Sequence, residues 1–175
     1  MNAKGVFYFV LVLGIAVLAF VFVKPGRPAV RNFFECEEAD YPVQESFPRR
    51  CTDKTGKVFV EDVGNVLEKQ NLIRLDRPRP NEFIESPLEI SGSARGVWFF
   101  EASFPVTLKD SVGRIIAEAP AEAQGEWMTA EFAPFKAVLT FSSPTGEFGS
   151  LILEKDNPSG LPEHADYLRV PVRFK

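Results

Sequence analysis

Histidine occurs once in the 175 residues, and cysteine, tryptophan and methionine twice each. So few histidines and cysteines exclude much metal and acid–base chemistry. Zinc takes four nitrogen, sulfur or oxygen ligands, and Cys36, Cys51 and the distant His164 do not make such a set. A Ser-His-Asp arrangement would have to use His164, which sits in the Pro- and Gly-containing run Asn157 to Asp166. Such a loop lacks the rigidity that holds a base within hydrogen-bond reach of its nucleophile. Gly92-Ser93-Ala94-Arg95-Gly96 places its serine one position early for a nucleophile elbow and lacks the strand-turn-helix context, so it reads as a turn. The run Asp156 to Asp166 offers oxygen ligands without EF-hand spacing, which leaves Ca²⁺ as the lesser alternative to an ordinary loop. No catalytic residue, metal site or cofactor is expected.

Acidic residues are absent from 1 to 31, where Lys4, Lys24, Arg27 and Arg31 hold +4, so the remainder holds −8 of the net −4. A domain of that sign repels phosphate backbones, which rules out a nucleic-acid partner.

What the chain has is a long apolar run. Val6 to Val23 reads VFYFVLVLGIAVLAFVFV without one charged side chain. As a helix its 18 residues would be about 27 Å long, close to the width of a hydrocarbon core. The run exceeds a signal-peptide apolar region and ends in Phe22-Val23-Lys24-Pro25 with no small-residue cleavage site, which favours an uncleaved anchor. Basic groups flank both ends, so the positive-inside rule does not fix the orientation. The expected layout is a tail at 1–5, a transmembrane helix at 6–23, a linker at 24–33, a cysteine-containing module at 34–66 and a β domain at 73–175.

Cys36 and Cys51 are the only cysteines. An even count in an extracytoplasmic segment reads as one disulfide, whereas a cytoplasmic segment would keep two thiols. Glu35, Glu37, Glu38 and Asp40 read as a solvated face in preference to a cation site. With Tyr41-Pro42-Val43 and Phe47-Pro48-Arg49-Arg50, this stretch resembles a short cysteine-containing module of small bacterial and archaeal secreted proteins, which implies no activity.

Beyond Arg77 short alternating apolar runs are divided by Gly, Pro, Ser and Asn, the punctuation of strands. Phe100, Ala102, Phe104, Val106 and Leu108 recur at every second residue, as do Leu168, Val170, Val172 and Phe174. One face of each strand is therefore buried. Pro171 marks the last strand as an edge, or as one whose outward N–H is not needed. Further strands are expected near Leu88–Ser91, Arg114–Glu118, Met128–Phe132, Ala137–Phe141 and Ser150–Glu154. About seven strands at this spacing predict an all-β, immunoglobulin-like antiparallel sandwich. With Phe100 facing the core, Trp98 falls on its side and Phe99 on the other, while Trp127 caps the sandwich or marks a ligand face. Trp98, Phe99 and Trp127 are the candidate binding surface, with core filling as the alternative.

The run Phe83 to Ala94, with Ser86-Pro87-Leu88 and Gly92-Ser93-Ala94, followed by Phe100-Glu101-Ala102, Asp110, Gly113-Arg114 and Val170-Pro171-Val172-Arg173-Phe174, carries a resemblance. It resembles the immunoglobulin-like domain of bacterial spore germination, the second type associated with GerM proteins, over about residues 73–175. The resemblance implies an antiparallel sandwich in an extracytoplasmic, often membrane-anchored protein, and no catalytic residues.

These readings predict a single-pass cell-membrane protein with its C-terminal domain outside the cytoplasm, binding or scaffolding another envelope protein or cell-wall component. The alternatives are a protease-inhibitor-like or enzyme-accessory module using the Cys36–Cys51 loop, and a passive spacer.

Overall fold

A computed structural model describes residues 29–142, 144 and 146–175. The apolar run 6–23 lies outside them, and no described helix is long and apolar enough to cross a membrane. The chain divides into two compact units, one running to Val60 and the other Glu61–Lys175.

The first unit is built on a short helix and three short strands. Helix α1 (Phe33–Glu38) starts where the Asn32 side chain accepts from the Glu35 N–H at 2.9 Å, satisfying one free donor of the first turn. Strands β1 (Val43–Gln44), β2 (Arg50–Thr52) and β3 (Val58–Val60) pair in that order, all antiparallel. Asp53 closes the β2–β3 turn by accepting from the Thr55 and Lys57 N–H groups, and Gly56 supplies φ +84°. Cys36 on α1 and Cys51 on β2 form a disulfide with Cα atoms 6.0 Å apart. It lies in a core with Phe33, Tyr41 and Phe59. The acidic run is partly neutralised: Glu35 pairs with Arg31 and Glu37 with Arg49, whose guanidinium also lies over the Phe33 ring.

The second unit is all-β apart from helix α2 (Val66–Lys69) and two 3-10 turns among its described residues. Its strands are β4 (Ile73–Arg77), β5 (Phe83–Ile84), β6 (Leu88–Arg95), β7 (Ser103–Asp110), β8 (Ile115–Ala123), β9 (Phe132–Leu139), β10 (Phe148–Glu154) and β11 (Tyr167–Phe174). They form one sheet in the order β4-β6-β9-β8-β7-β10-β11-β5. The sheet cannot be flat. At about 4.8 Å per strand, β9 and β11 would lie roughly 19 Å apart across it, yet the rings of Phe141, just past β9, and Phe174 on β11 are 6.0 Å apart. Only residues 85–87 separate β5, at one end of the order, from β6, near the other. The sheet therefore curls over on itself and encloses one core that includes Ile90, Phe104, Val106, Phe135, Leu153 and Val170.

The curl turns at the β8–β9 join, where only Glu122↔Lys136 and Ala123↔Phe135 pair. The Gln124 N–H donates to the Pro134 carbonyl at 2.7 Å. By alternation, the backbone groups of every second residue back from Gln124 face β9, and Pro120 is one of them. Pro120 has no N–H to offer, and pairing stops before it.

The sequence placed several strand limits differently. β6 runs through Gly92 to Arg95 where a turn was expected, because a residue without a side chain is what the site demands. A Cβ on Gly92 would lie 2.2 Å from the Arg74 carbonyl and 2.7 Å from the Phe135 ring. The strand expected from Phe100 begins at Ser103 instead. Phe100 and Ser103 exchange backbone hydrogen bonds around a two-residue turn at Glu101 and Ala102, which breaks the alternation. Residues from Met128 to Glu131 are turn rather than strand, and β9 takes up both Phe132 and Ala137. β4 and β5 were not foreseen; β5 has only two residues and pairs in parallel with β11.

Candidate interaction surface

At the end of β6 the chain makes a 3-10 turn, Gly96–Trp98, and passes through Phe99 and Phe100 into the Glu101-Ala102 turn. The 124–131 loop lies against it. Gly96 donates to the Thr129 carbonyl at 3.1 Å, and a Cβ on Gly96 would fall 2.4 Å from the Trp127 carbonyl, so glycine allows this approach. Arg95 ties the loop further, its Nε donating to the Asn71 carbonyl at 2.7 Å and its Nη1 to the Ala130 carbonyl. The Arg74 and Arg95 guanidiniums lie 4.1 and 4.6 Å from the centre of the Phe132 ring.

The structure brings the three aromatics singled out in the sequence to this one end of the unit, mostly inside it. Trp98 is fully buried and Phe99 is 6% exposed, so neither offers a ring to a partner, and Trp127 is half-buried against the core. The 3-10 turn breaks the every-second-residue geometry that set Trp98 and Phe99 on opposite sides. Phe99 packs edge-on against Phe104 at 5.2 Å and tilts toward Trp127 at 6.4 Å. The Trp98 Nε1–H is buried with no acceptor among the described residues, while its carbonyl accepts from the Asp156 N–H at 3.0 Å.

The exposed apolar residues here are the neighbours of those three: Val97 at 64%, Phe100 at 44% and Met128 at 78%. Sequence reasoning put Phe100 in the core and Met128 in a strand. Glu101 and Ala102, at φ +49° and +63°, occupy the left-handed region at both central positions of the turn. Asn-Gly is the usual solution there, and a non-glycine pair is strained.

Elsewhere, an open cleft of about 400 Å³ lies over β7 and β8, with Pro105, Thr107, Glu118 and Asp156 among its lining. His164 is exposed on the second 3-10 turn, Pro162–His164. Among the described residues no three of His, Cys, Asp and Glu gather as a metal site requires. Four described carboxylates, Glu35, Asp53, Asp62 and Asp110, are held below their usual range, the last two in the second unit. Burial opposes the charge on Asp110, but hydrogen bonds from the Arg114 backbone and side chain and the Val112 N–H outweigh it. Burial likewise opposes the charge on Asp62, and the Arg169 guanidinium and the Gly64 N–H overcome it.

The layers and the family agree. β4, β6 and β9 make one layer and β8, β7, β10 and β11 the other, the A-B-E and C′-C-F-G partition of an immunoglobulin-like sandwich, with β5 beside the last strand. A family model, the immunoglobulin-like domain of bacterial spore germination, matches residues 72–160, half of the chain. The chain belongs to this family. The spore-germination immunoglobulin-like match takes in β4 through β10 and the Gly96 and Glu101-Ala102 turns, while β11 lies beyond it. Among curated proteins and among solved structures, nothing matches the chain.

Proposed function

We propose that this spore-germination immunoglobulin-like protein is a non-catalytic binding or scaffold module of the bacterial cell envelope, held to the membrane by residues 6–23 with its two folded units outside. The observation that carries the reading is a disulfide-closed unit preceding an immunoglobulin-like sandwich of this family. The uncharged Val6–Val23 run supports the anchor, and the acidic balance of the folded part argues for protein or cell-wall partners over nucleic acid. Full-length protein immobilised in lipid nanodiscs and exposed to solubilised envelope proteins and cell-wall fragments is expected to retain one of them. If neither class is retained, and deletion of the chain leaves the envelope unaltered, the protein is a spacer.

A second reading rests on Phe47, 55% exposed within the loop that the disulfide bounds. A constrained loop presenting one large apolar side chain suits a protease-facing turn, because pre-organisation lowers the entropy lost on binding. Inhibition of none of a panel of proteases by the full-length protein would remove that reading.

A further inference from the structure

We infer that the end of the sandwich bearing Val97, Phe100 and Met128 is a docking surface for a cationic, amphipathic segment of a partner protein. This inference rests on the binding-module reading and names the place and the partner chemistry.

Three large apolar side chains stand exposed on two loops tied together by the Gly96–Thr129 hydrogen bond. Their support is firm: Trp98 and Phe99 are sunk into the core directly beside them, and Trp127 packs between loop and core. An exposed apolar group on a rigid base is the anatomy of an interface centre. The strained Glu101-Ala102 turn holds Phe100 outward; a relaxed continuation of the strand would alternate it with Glu101 and return it toward the core.

Charge selects the occupant. Glu101, Glu126 and Glu131 lie on the same two loops, exposed, and among the described residues none forms an ion pair. The described cations of the neighbourhood are engaged: Arg95 with two carbonyls, Arg74 with the Gln70 carbonyl, and both with the Phe132 ring. An apolar centre rimmed by unpaired carboxylates fits a segment that alternates apolar and basic side chains. A second copy would set carboxylates against carboxylates, and an anionic bilayer would repel them.

The test titrates the full-length protein in phosphatidylcholine nanodiscs with a short peptide of alternating leucine and lysine, reading the emission of half-buried Trp127. Controls are the peptide with glutamate for lysine and vesicles of equimolar phosphatidylcholine and phosphatidylserine. The lysine peptide is expected to shift the emission, with affinity falling as salt rises. A combined Glu101→Lys, Glu126→Lys, Glu131→Lys variant is expected to weaken it at least tenfold, as are Phe100→Ser and Met128→Ser. These side chains are exposed, so the thermal midpoint checks that each variant folds. Val112→Ser, beyond the opposite end of β7, is expected to leave affinity unchanged. Equal binding of both peptides, binding to the vesicles alone, or unchanged affinity in the Phe100 and Met128 variants would overturn the docking surface. If patch variants still retain an envelope partner, the binding module stands and only its location is wrong; loss of all retention by the wild type removes both.

Discussion

At the scale of single residues, two positions carry an argument about shape that composition alone does not reveal. Gly92 sits where the Phe135 ring and the Arg74 carbonyl leave no room for a Cβ. Gly92→Ala is expected to cost about 1–3 kcal/mol, since overpacking forces neighbours apart, measured as a lower urea midpoint at unchanged slope. Ala102, at φ +63°, is strained in the opposite sense. Ala102→Gly is expected to stabilise the fold by about 1 kcal/mol, a gain visible in the same titration; a loss would show that the turn is not held left-handed. The Gly-x-Ala step was legible as a family signature, but its reading as a turn missed that a glycine inside a strand also marks close approach of another chain segment. Phe100 was misplaced for a related reason. Its apolar neighbours at every second position continue a strand pattern across a turn that no Gly, Asn or Pro announces.

At the scale of elements, hairpins and edges decide where the sheet begins and ends. The β7–β8 hairpin is closed by Asp110, whose side chain receives the Val112 and Arg114 N–H groups and pairs with the Arg114 guanidinium at 2.8 Å. Its carboxyl is held below the ordinary value, so its contribution is present above the unfolded carboxylate range, near pH 4, and is lost as pH falls through the lower folded value. Asp62 behaves the same way through Arg169. Thermal midpoints across that range are expected to fall on acidification. Asp110→Asn is expected to be less stable than wild type at neutral pH and to converge with it in acid. A constant difference would mean that the charge contributes nothing. The free side of β11 is finished differently: Asn65, Asn81 and β5 fill it, with Pro171 offering only a carbonyl, which accepts from the Asn81 N–H at 2.7 Å. The sequence supplied the proline signal there. It did not supply β4 or β5, because β4 breaks its register at a bulge and β5 pairs through two residues, too short for any period to show.

At the scale of the whole molecule, the chain forms two units with separate cores, the second beginning at Glu61, ahead of the change of texture that the sequence shows beyond Arg77. Among its described residues the smaller buries five, two of them the disulfide cysteines, so covalent closure supplements a small core. Replacing both cysteines by serine is expected to destabilise that unit by about 3 kcal/mol, seen as lost dispersion of the Phe33, Tyr41 and Phe59 signals in NMR spectra. The class of fold was legible because alternation is strong in β7 and β11, whereas the exposed end of the sandwich was not, because exposure there depends on which loop meets which. Placement outside the cytoplasm is the claim on which the functional proposal turns, and the redox state of the cysteines in the cell tests it most directly. Intact-mass analysis of full-length protein from its own cells, thiols blocked at lysis and no reductant added, is predicted to show Cys36 and Cys51 unlabelled and joined. Two blocked thiols would contradict the account.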